Sequence, residues 1–116
     1  MRLESQIHDG VCVLHAHGRF VTGSDAELAS AQNYLREAGI ANAVLDLDDV
    51  PYVDSTGLAF VVELHKSLAS RGGQLFLAGA NARVREVLEM TRIGEIIPLY
   101  SCVEEAEAAL RGEVLC

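Results

Sequence analysis

The tetrapeptide Asp54-Ser55-Thr56-Gly57 places a carboxylate and two hydroxyls side by side between an apolar segment and an amphipathic one. A strand, a tight turn and the start of a helix are predicted here. Free backbone amides and the helix dipole favour negative charge at such a junction. The residue types therefore suit four roles: a catalytic nucleophile, a phosphate-binding loop, a helix cap, or a site of phosphorylation.

The enzymatic roles do not fit the surrounding residues. A nucleophile elbow requires Gly-x-Ser-x-Gly, and the first glycine is missing before Ser55. The only later histidine, His65, lies too far along the same predicted helix to contact Ser55 at ~1.5 Å of rise per residue. The glycine spacing and Gly-Lys-[Ser/Thr] of a phosphate loop are absent. The sequence predicts a protein that is not an enzyme and needs no cofactor.

Two roles remain open for the tetrapeptide. Asp54 or Ser55 could cap the helix, a contribution of about 1 kcal/mol. Alternatively, phosphorylation of Ser55 would add a charge of about −2 and change the surface that the helix shows to a partner, because the dipole and amides offset that charge locally.

The first half of the chain is predicted to form a hairpin, a helix and a strand. Residues 2–7 and 11–17 are strands joined at Asp9-Gly10, a dipeptide suited to a hairpin turn. Ser24-Asp25-Ala26-Glu27 has capping-box spacing. The helix behind it is indicated by Leu28, Ala31, Leu35 and Ala38 and is ended by Gly39; residues 43–47 form the next strand.

Strands and helices alternate in the second half. A helix is predicted over 55–70, ended by Arg71-Gly72-Gly73, then a strand over 74–78. Asn81 caps a helix whose apolar face carries Val84, Val87, Leu88 and Thr91. A short strand over 96–100 precedes a capping box, Ser101-x-x-Glu104, that opens a helix over Val103, Ala106 and Leu110. The chain therefore predicts one α/β domain over 1–116, with a mixed, mostly parallel sheet, an N-terminal hairpin and about four helices packed on it.

The helix over 55–70 has a predicted inner face and a predicted outer face. The 3.6-residue period assigns to the sheet side Leu58, Val61, Val62, His65, Leu68 and Ala69. The opposite side then carries Thr56, Ala59, Phe60, Glu63 and Ser67, and begins beside Ser55. Phe60 is an aromatic residue at the edge of this outer side. We predict a docking surface there.

Composition excludes several classes of protein. Half of the 116 residues are hydrophobic, no apolar run approaches the ~20 residues of a membrane span, and the N-terminus lacks the apolar core of a signal peptide. Three cysteines, Cys12, Cys102 and Cys116, are too few for a disulfide scaffold. The net charge is −8, and the arginines are scattered, so they form no basic stripe that would bind nucleic acid. A cytoplasmic protein with neither membrane nor direct nucleic-acid binding is expected.

No metal site is expected. Asp46, Asp48, Asp49 and Asp54 lack the spacing of an EF-hand, and acids at a strand's carboxyl end are usually solvated. His15 and His17 share one strand face without a third ligand at recognisable spacing, which is typical of a surface pair. His65, on the predicted inner helix face, is expected to be a hydrogen-bonded core histidine.

The segment LDLDDVPYVDSTGLAFVVELHKSLASRGGQLFLAGANARVREVLEMTRIGEII resembles the STAS domain of anti-sigma factor antagonists, a family of small bacterial switch proteins. The resemblance rests on Asp-Ser-Thr-Gly-Leu after an apolar strand, with support from Gly18, from Gly72-Gly73 and from the apolar pattern of the third helix. It covers most of the chain.

The resemblance implies a switch governed by phosphorylation. In such proteins the serine after the aspartate is phosphorylated by an anti-sigma factor that is also a serine kinase of the histidine-kinase-like ATPase type. The unphosphorylated form binds that kinase and frees a sigma factor, and a PP2C-type phosphatase resets the cycle. Carried over here, Ser55 is the phosphoacceptor, Thr56 is the second choice, and Asp54 and Gly57 support the turn. The partner surface would comprise Ser55, Thr56, Ala59, Phe60 and Glu63.

The chain departs from the family at one point. Many antagonists carry Gly-x-[Ile/Leu]-Asp after the early glycine, whereas this chain has Val21 where the acid would fall; Asp25 could substitute for it.

Two other functions remain open. The first alternative is a constitutive STAS subunit of a stress-signalling or lipid-transport assembly. The second is a nucleotide-binding module.

Overall fold

The computed structural model describes residues 2–19 and 25–112 of the chain, and all structural statements below concern these residues. Five strands and four α-helices alternate after an opening hairpin. In chain order they are β1 (Arg2–His8), β2 (Val11–His17), α1 (Asp25–Ala38), β3 (Asn42–Asp49), α2 (Ser55–Ala69), β4 (Gln74–Ala78), α3 (Ala82–Met90), β5 (Leu99–Tyr100) and α4 (Val103–Leu110).

The strands form one mixed sheet in the order β1-β2-β3-β4-β5. Strands β1 and β2 are antiparallel, and all later neighbours are parallel. The hairpin turn has positive φ at both Asp9 (51°) and Gly10 (82°), as a two-residue hairpin turn that follows the strand twist requires. The predicted α/β class, with its hairpin and mixed sheet, is confirmed.

Helices cover the two sides of the sheet unequally. Side chains alternate along β2, so that Cys12, Leu14 and Ala16 join one buried cluster and Val11 and Val13 another. The first cluster contains the buried faces of α1, α2 and α3, while the second contains Ala106 and the partly buried apolar side chains of α4. Because the helices return the chain to parallel strands, the N-terminus of α2 lies at the sheet edge where β2, β3 and β4 end.

The Gly72-Gly73 pair between α2 and β4 is required by the backbone. Gly72 has φ +78°, a conformation that side chains with Cβ rarely adopt. A Cβ on Gly73 would clash with the carbonyl oxygen of Ala41. The same oxygen accepts a hydrogen bond from the Gln74 amide at 3.1 Å. Only glycine lets the chain pass this close to the start of β3.

Two predictions near the C-terminus are wrong. The strand expected over 96–100 is limited to Leu99–Tyr100, because the amides of Ile96 and Ile97 donate to the Ile93 carbonyl and continue a 3₁₀ turn over Ile93–Glu95. The apolar run resembled a strand, yet Ile97 is buried as part of that turn and Ile96 is exposed.

The second error concerns the start of α4. Its N-cap residue is Cys102, which makes no side-chain cap. The Ser101 hydroxyl instead donates to the Glu105 carboxylate at 2.7 Å. The helix begins one residue too late for a capping box formed by Ser101 and Glu104. The other predicted capping box begins at Ser24, outside the described residues.

Candidate functional site at the start of helix α2

Asp54 is the N-cap residue of α2. Its backbone is extended, with φ −109° and ψ −166°, and its Oδ1 accepts hydrogen bonds from the amides of Thr56 at 2.9 Å and Gly57 at 3.2 Å. The Asp54 carbonyl accepts the amide of Leu58 at 3.0 Å, the first bond of the helix. The carboxylate thus satisfies two amides that a helix start leaves without partners. Of the two residues left open as caps, Asp54 performs this role.

Ser55 is the first residue of the helix and its side chain is exposed. Among the described residues, the Ser55 hydroxyl makes no hydrogen bond. Thr56, next to it, is half-buried, and Gly57 is buried against the core. Of the two adjacent hydroxyls, Ser55 therefore offers the one that a second protein can reach more easily.

The outer face of α2 differs from the predicted one. The helix buries Gly57, Phe60, Val61, Leu64 and Leu68. Phe60 is only 3% exposed, so its predicted place on the outer side is wrong. The cause is that apolar residues occupy nearly the whole circumference of this helix, and α1 packs beside it. The period alone then gives no unique buried stripe.

Three residues of the predicted partner surface are exposed along one line of the helix: Ser55, Ala59 and Glu63. We call these three residues the outer strip. Successive members are four residues apart, which places them on one side of the helix. Glu63 forms an ion pair with Lys66 at 3.6 Å. The outer strip carries a small apolar residue between a hydroxyl and a charge.

Asn81 connects the segment before Ser55 to α3. Its Oδ1 accepts the amide of Val84 at 2.9 Å, the cap that the sequence predicted. Its side-chain amide also donates to the carbonyl oxygens of Val50 and Pro51, both at 3.3 Å. This second role was missed, because no spacing in the sequence indicates which distant loop an asparagine will meet.

The histidines of β2 pair with carboxylates of β3. His15 Nδ1 lies 2.7 Å from Asp46 Oδ2, and His17 Nδ1 lies 2.7 Å from Asp49 Oδ2. The Asp49 hydrogen bond raises the pKa of His17, with a further contribution from the charge of Glu4. Within the described ranges, no group of three or more His, Cys, Asp or Glu side chains is placed to hold a metal ion. The pairs tie β2 to β3 where these strands end.

The other titratable groups singled out from the sequence do not join the site. Cys12 lies in the core, where burial raises the pKa of its thiol to about 11. His65 is half-buried, and its buried Nδ1 has no hydrogen-bond partner within the described residues, so the hydrogen-bonded core histidine is not found. Val21 and Cys116 lie outside the described residues, as does the side chain of Asp25.

The model of one family, the STAS domain, matches residues 2–106. The chain belongs to the STAS domain family, and the predicted family and fold are confirmed. A candidate anti-sigma factor antagonist of Thermotoga neapolitana is 35% identical over 74 residues, which are 64% of this chain and 66% of that protein. This chain thus spans slightly less than two thirds of that relative's length. BtrV of Bordetella bronchiseptica, another candidate anti-sigma factor antagonist, is 31% identical over 112 residues, 96% of each chain.

Solved structures show the same fold. The crystal structure of a candidate anti-sigma factor antagonist from Thermotoga maritima matches with a TM-score of 0.81, at 26% identity over 94% of both chains. The STAS domain of a SulP transporter from Vibrio cholerae matches with 0.70, at 25% identity over 92% of this chain and 85% of that one. The Bacillus cell fate determinant SpoIIAA in its phosphorylated form matches with 0.72, at 15% identity over 95% and 100%, a likeness that shows the fold alone. None of the helices in the described part of the chain is long and apolar enough to span a membrane.

Proposed function

We propose that this protein is an anti-sigma factor antagonist that is switched by phosphorylation of Ser55. In the unphosphorylated state it binds an anti-sigma factor that is also a serine kinase of the histidine-kinase-like ATPase type, and so frees a sigma factor. Phosphorylation abolishes binding, and a PP2C-type phosphatase restores it. One observation carries the proposal: Asp54 caps α2, and the adjacent Ser55 hydroxyl is exposed and unbonded among the described residues.

Asp54 caps the helix and Ser55 is the proposed phosphoacceptor, so the helix start and the proposed switch depend on different side chains. If Ser55 were the cap, modifying its hydroxyl would remove the bonds that start α2. Because Asp54 holds the amides of Thr56 and Gly57, a phosphate on Ser55 leaves those bonds in place. The exposure of Ser55 also favours it over the half-buried Thr56 as the acceptor.

The added charge acts on a surface that suits a protein partner. The outer strip has Ala59 at its middle, and the half-buried Leu58 and Val62 lie beside it. A phosphate brings about −2 charges to one end of this surface. Burying that charge without a cationic partner costs desolvation energy, and each ~1.4 kcal/mol lost weakens binding about tenfold. A few kcal/mol is sufficient for a switch.

The comparisons support the partner class at the level of the family. Thermotoga and Bordetella relatives carry the name of candidate anti-sigma factor antagonists, and a protein of the same fold is known in a phosphorylated form. The kinase and the phosphatase are parts of the proposal.

The experiment is a pull-down from the source organism's lysate with wild-type, Ser55→Asp and Ser30→Asp baits, analysed by mass spectrometry. Ser30 is an exposed serine of α1, so Ser30→Asp controls for added charge alone. We expect wild type and Ser30→Asp to capture the same ATPase anti-sigma factor, and Ser55→Asp to lose it. The captured kinase should then label wild type and Thr56→Ala with phosphate from ATP, but not Ser55→Ala; persistent labelling of Ser55→Ala contradicts the assigned site.

A second candidate is a constitutive STAS subunit of a larger assembly. The likeness to the STAS domain of a SulP transporter favours it. Equal capture of one transporter or scaffold protein by wild type and Ser55→Asp would establish this alternative. The tetrapeptide would then have only a structural role, as a capped turn. The nucleotide-binding alternative is tested separately by calorimetry with GTP and ATP, where we expect no heat of binding.

A further inference from the structure

Tyr52 is an exposed aromatic residue in the loop that leads from β3 to Ser55. Its neighbours Val50 and Val53 are almost fully buried, at 1% and 2% exposure, whereas Tyr52 keeps 39% of its surface exposed. Packing of the two valines fixes the loop, and the ring itself stays at the surface. Exposed tyrosines in such fixed positions supply large contact area at low entropic cost, and they are enriched among the residues that dominate protein–protein binding.

Arg83, in the first turn of α3, is stacked on this ring. Its guanidinium carbon lies 5.6 Å from the centroid of Tyr52, a cation–π arrangement. The stack limits the conformations of the arginine before any partner arrives, so less entropy is lost on binding. The exposed carboxylates of Asp48 and Asp49 stand at the end of β3, where this loop begins. Arg83 therefore presents a positive charge at the face of the Tyr52 ring.

Asn81 holds the two halves of the stack together. Its side chain caps α3 through the Val84 amide and at the same time donates to the carbonyls of Val50 and Pro51. The helix that carries Arg83 and the loop that carries Tyr52 are thus fixed to each other. The loop ends at Asp54, the cap of the helix that begins with Ser55.

We infer that Tyr52 and Arg83 form a second contact patch for the anti-sigma factor, beside the outer strip of α2. The ring of Tyr52 packs on an apolar surface of the partner, and Arg83 pairs with one of its carboxylates. This inference rests on the proposed function, which supplies the partner. It assigns specificity to two residues outside the Asp-Ser-Thr-Gly segment and outside α2.

The test measures the affinity of purified variants for the purified anti-sigma factor kinase captured by the wild-type bait. We expect Tyr52→Ala to raise the Kd about tenfold or more, and Tyr52→Phe to stay close to wild type, since truncation of an interface tyrosine removes most of its contact area. Arg83→Gln should raise the Kd several-fold at low salt. Its Kd should also depend less on ionic strength than that of wild type between about 50 and 300 mM salt, because a screened charge pair has been removed.

Matched controls come from α1. Tyr34 is 42% exposed and Arg36 is also exposed, so Tyr34→Ala and Arg36→Gln remove the same groups away from Ser55. Both should bind within about twofold of wild type, since substitutions outside an interface leave its contacts in place. The salt dependence of the Kd of Arg83→Gln identifies an interface charge even if Tyr52→Ala proves poorly folded by circular dichroism. Replacing a purely structural arginine would not alter that salt dependence.

Two failures are distinguishable. If Tyr52→Ala and Arg83→Gln bind like the controls while Ser55→Asp does not bind, the second patch is refuted and the proposed function stands. If wild type binds no anti-sigma factor kinase, or binds a transporter or another protein instead, the proposed function fails and the assigned partner of the patch fails with it.

Discussion

Replacing Asp54 tests whether the start of α2 is independent of Ser55, the proposed switch residue beside it. Asp54 Oδ1 accepts two amides, those of Thr56 and Gly57. Asp54→Ala removes both bonds and leaves the amides to water. Loss of an N-cap side chain costs about 0.5–2 kcal/mol, and we expect about 1 kcal/mol here because the site is half-buried and water can reach part of it.

Two companion variants refine this magnitude. Asp54→Asn keeps an oxygen in the capping position and loses only the charge at the helix N-terminus, a term of about 0.3–1 kcal/mol. Ser55→Ala removes a hydroxyl that makes no hydrogen bond within the described residues, so its effect should stay within about ±0.5 kcal/mol. The expected order of stability is wild type and Ser55→Ala together, then Asp54→Asn, then Asp54→Ala.

The assay is urea denaturation followed by circular dichroism, with each free energy of unfolding extrapolated to water. Thermal melts should give the same order, with about 4 °C lost per kcal/mol in a domain of this size. If Ser55→Ala destabilises the protein as much as Asp54→Ala, then the serine is part of the cap. The separation of fold from switch, on which the proposed function depends, would be refuted.

Three further predictions concern parts of the molecule away from the cap. Phe60→Ala should destabilise the domain by about 3–5 kcal/mol in urea melts, as for a buried aromatic. A loss below about 1 kcal/mol would instead indicate that the ring is exposed at the surface. Because Asp49 raises the pKa of His17, the stability from this pair is complete below the unfolded-state value of 6.5 and is lost as pH rises through the folded-state pKa. His17→Gln should therefore lower the melting temperature more near pH 6 than near pH 9, and an equal effect at both contradicts the pairing. Gly73→Ala should cost at least about 2 kcal/mol through its clash with the carbonyl oxygen before β3, whereas Gly94→Ala, where nothing lies within 4 Å of the added carbon, should be nearly neutral; similar melting temperatures would refute this.

Local signals predicted most of the fold. Gln74–Ala78 is a strand with the predicted bounds, because Gly72-Gly73 punctuates its start and a run of apolar residues follows. Asn81 caps α3 as predicted, since its short side chain competes well for the first amides of a helix. The prediction of an element is wrong where tertiary packing decides the local structure. Ile97 is the example, because its apolar side chain enters the core from a 3₁₀ turn rather than from a strand.

The candidate site was predictable as a sequence segment but not as a surface. The Asp-Ser-Thr-Gly order marks the start of α2 from residue types alone. Which side of α2 is buried depends on how α1 and the sheet pack on it. The helical period does not contain this information when apolar residues occur around nearly the whole circumference of the helix. Phe60 is the residue for which this matters. The stack of Arg83 on Tyr52 joins two segments that no local pattern relates.

The burial of Phe60 changes how the proposed switch would work. A surface centred on an exposed aromatic ring would bind tightly by apolar contact, and a charge at its end would remove only part of that energy. With Ala59 at the middle of the outer strip, the proposed contact on α2 is flatter and smaller, so a charge at Ser55 would remove a larger share of the binding energy. A partner that binds α2 in this way needs further contact area beyond the helix. Tyr52, exposed on the loop that ends at the cap, is the residue that we propose to supply such contacts.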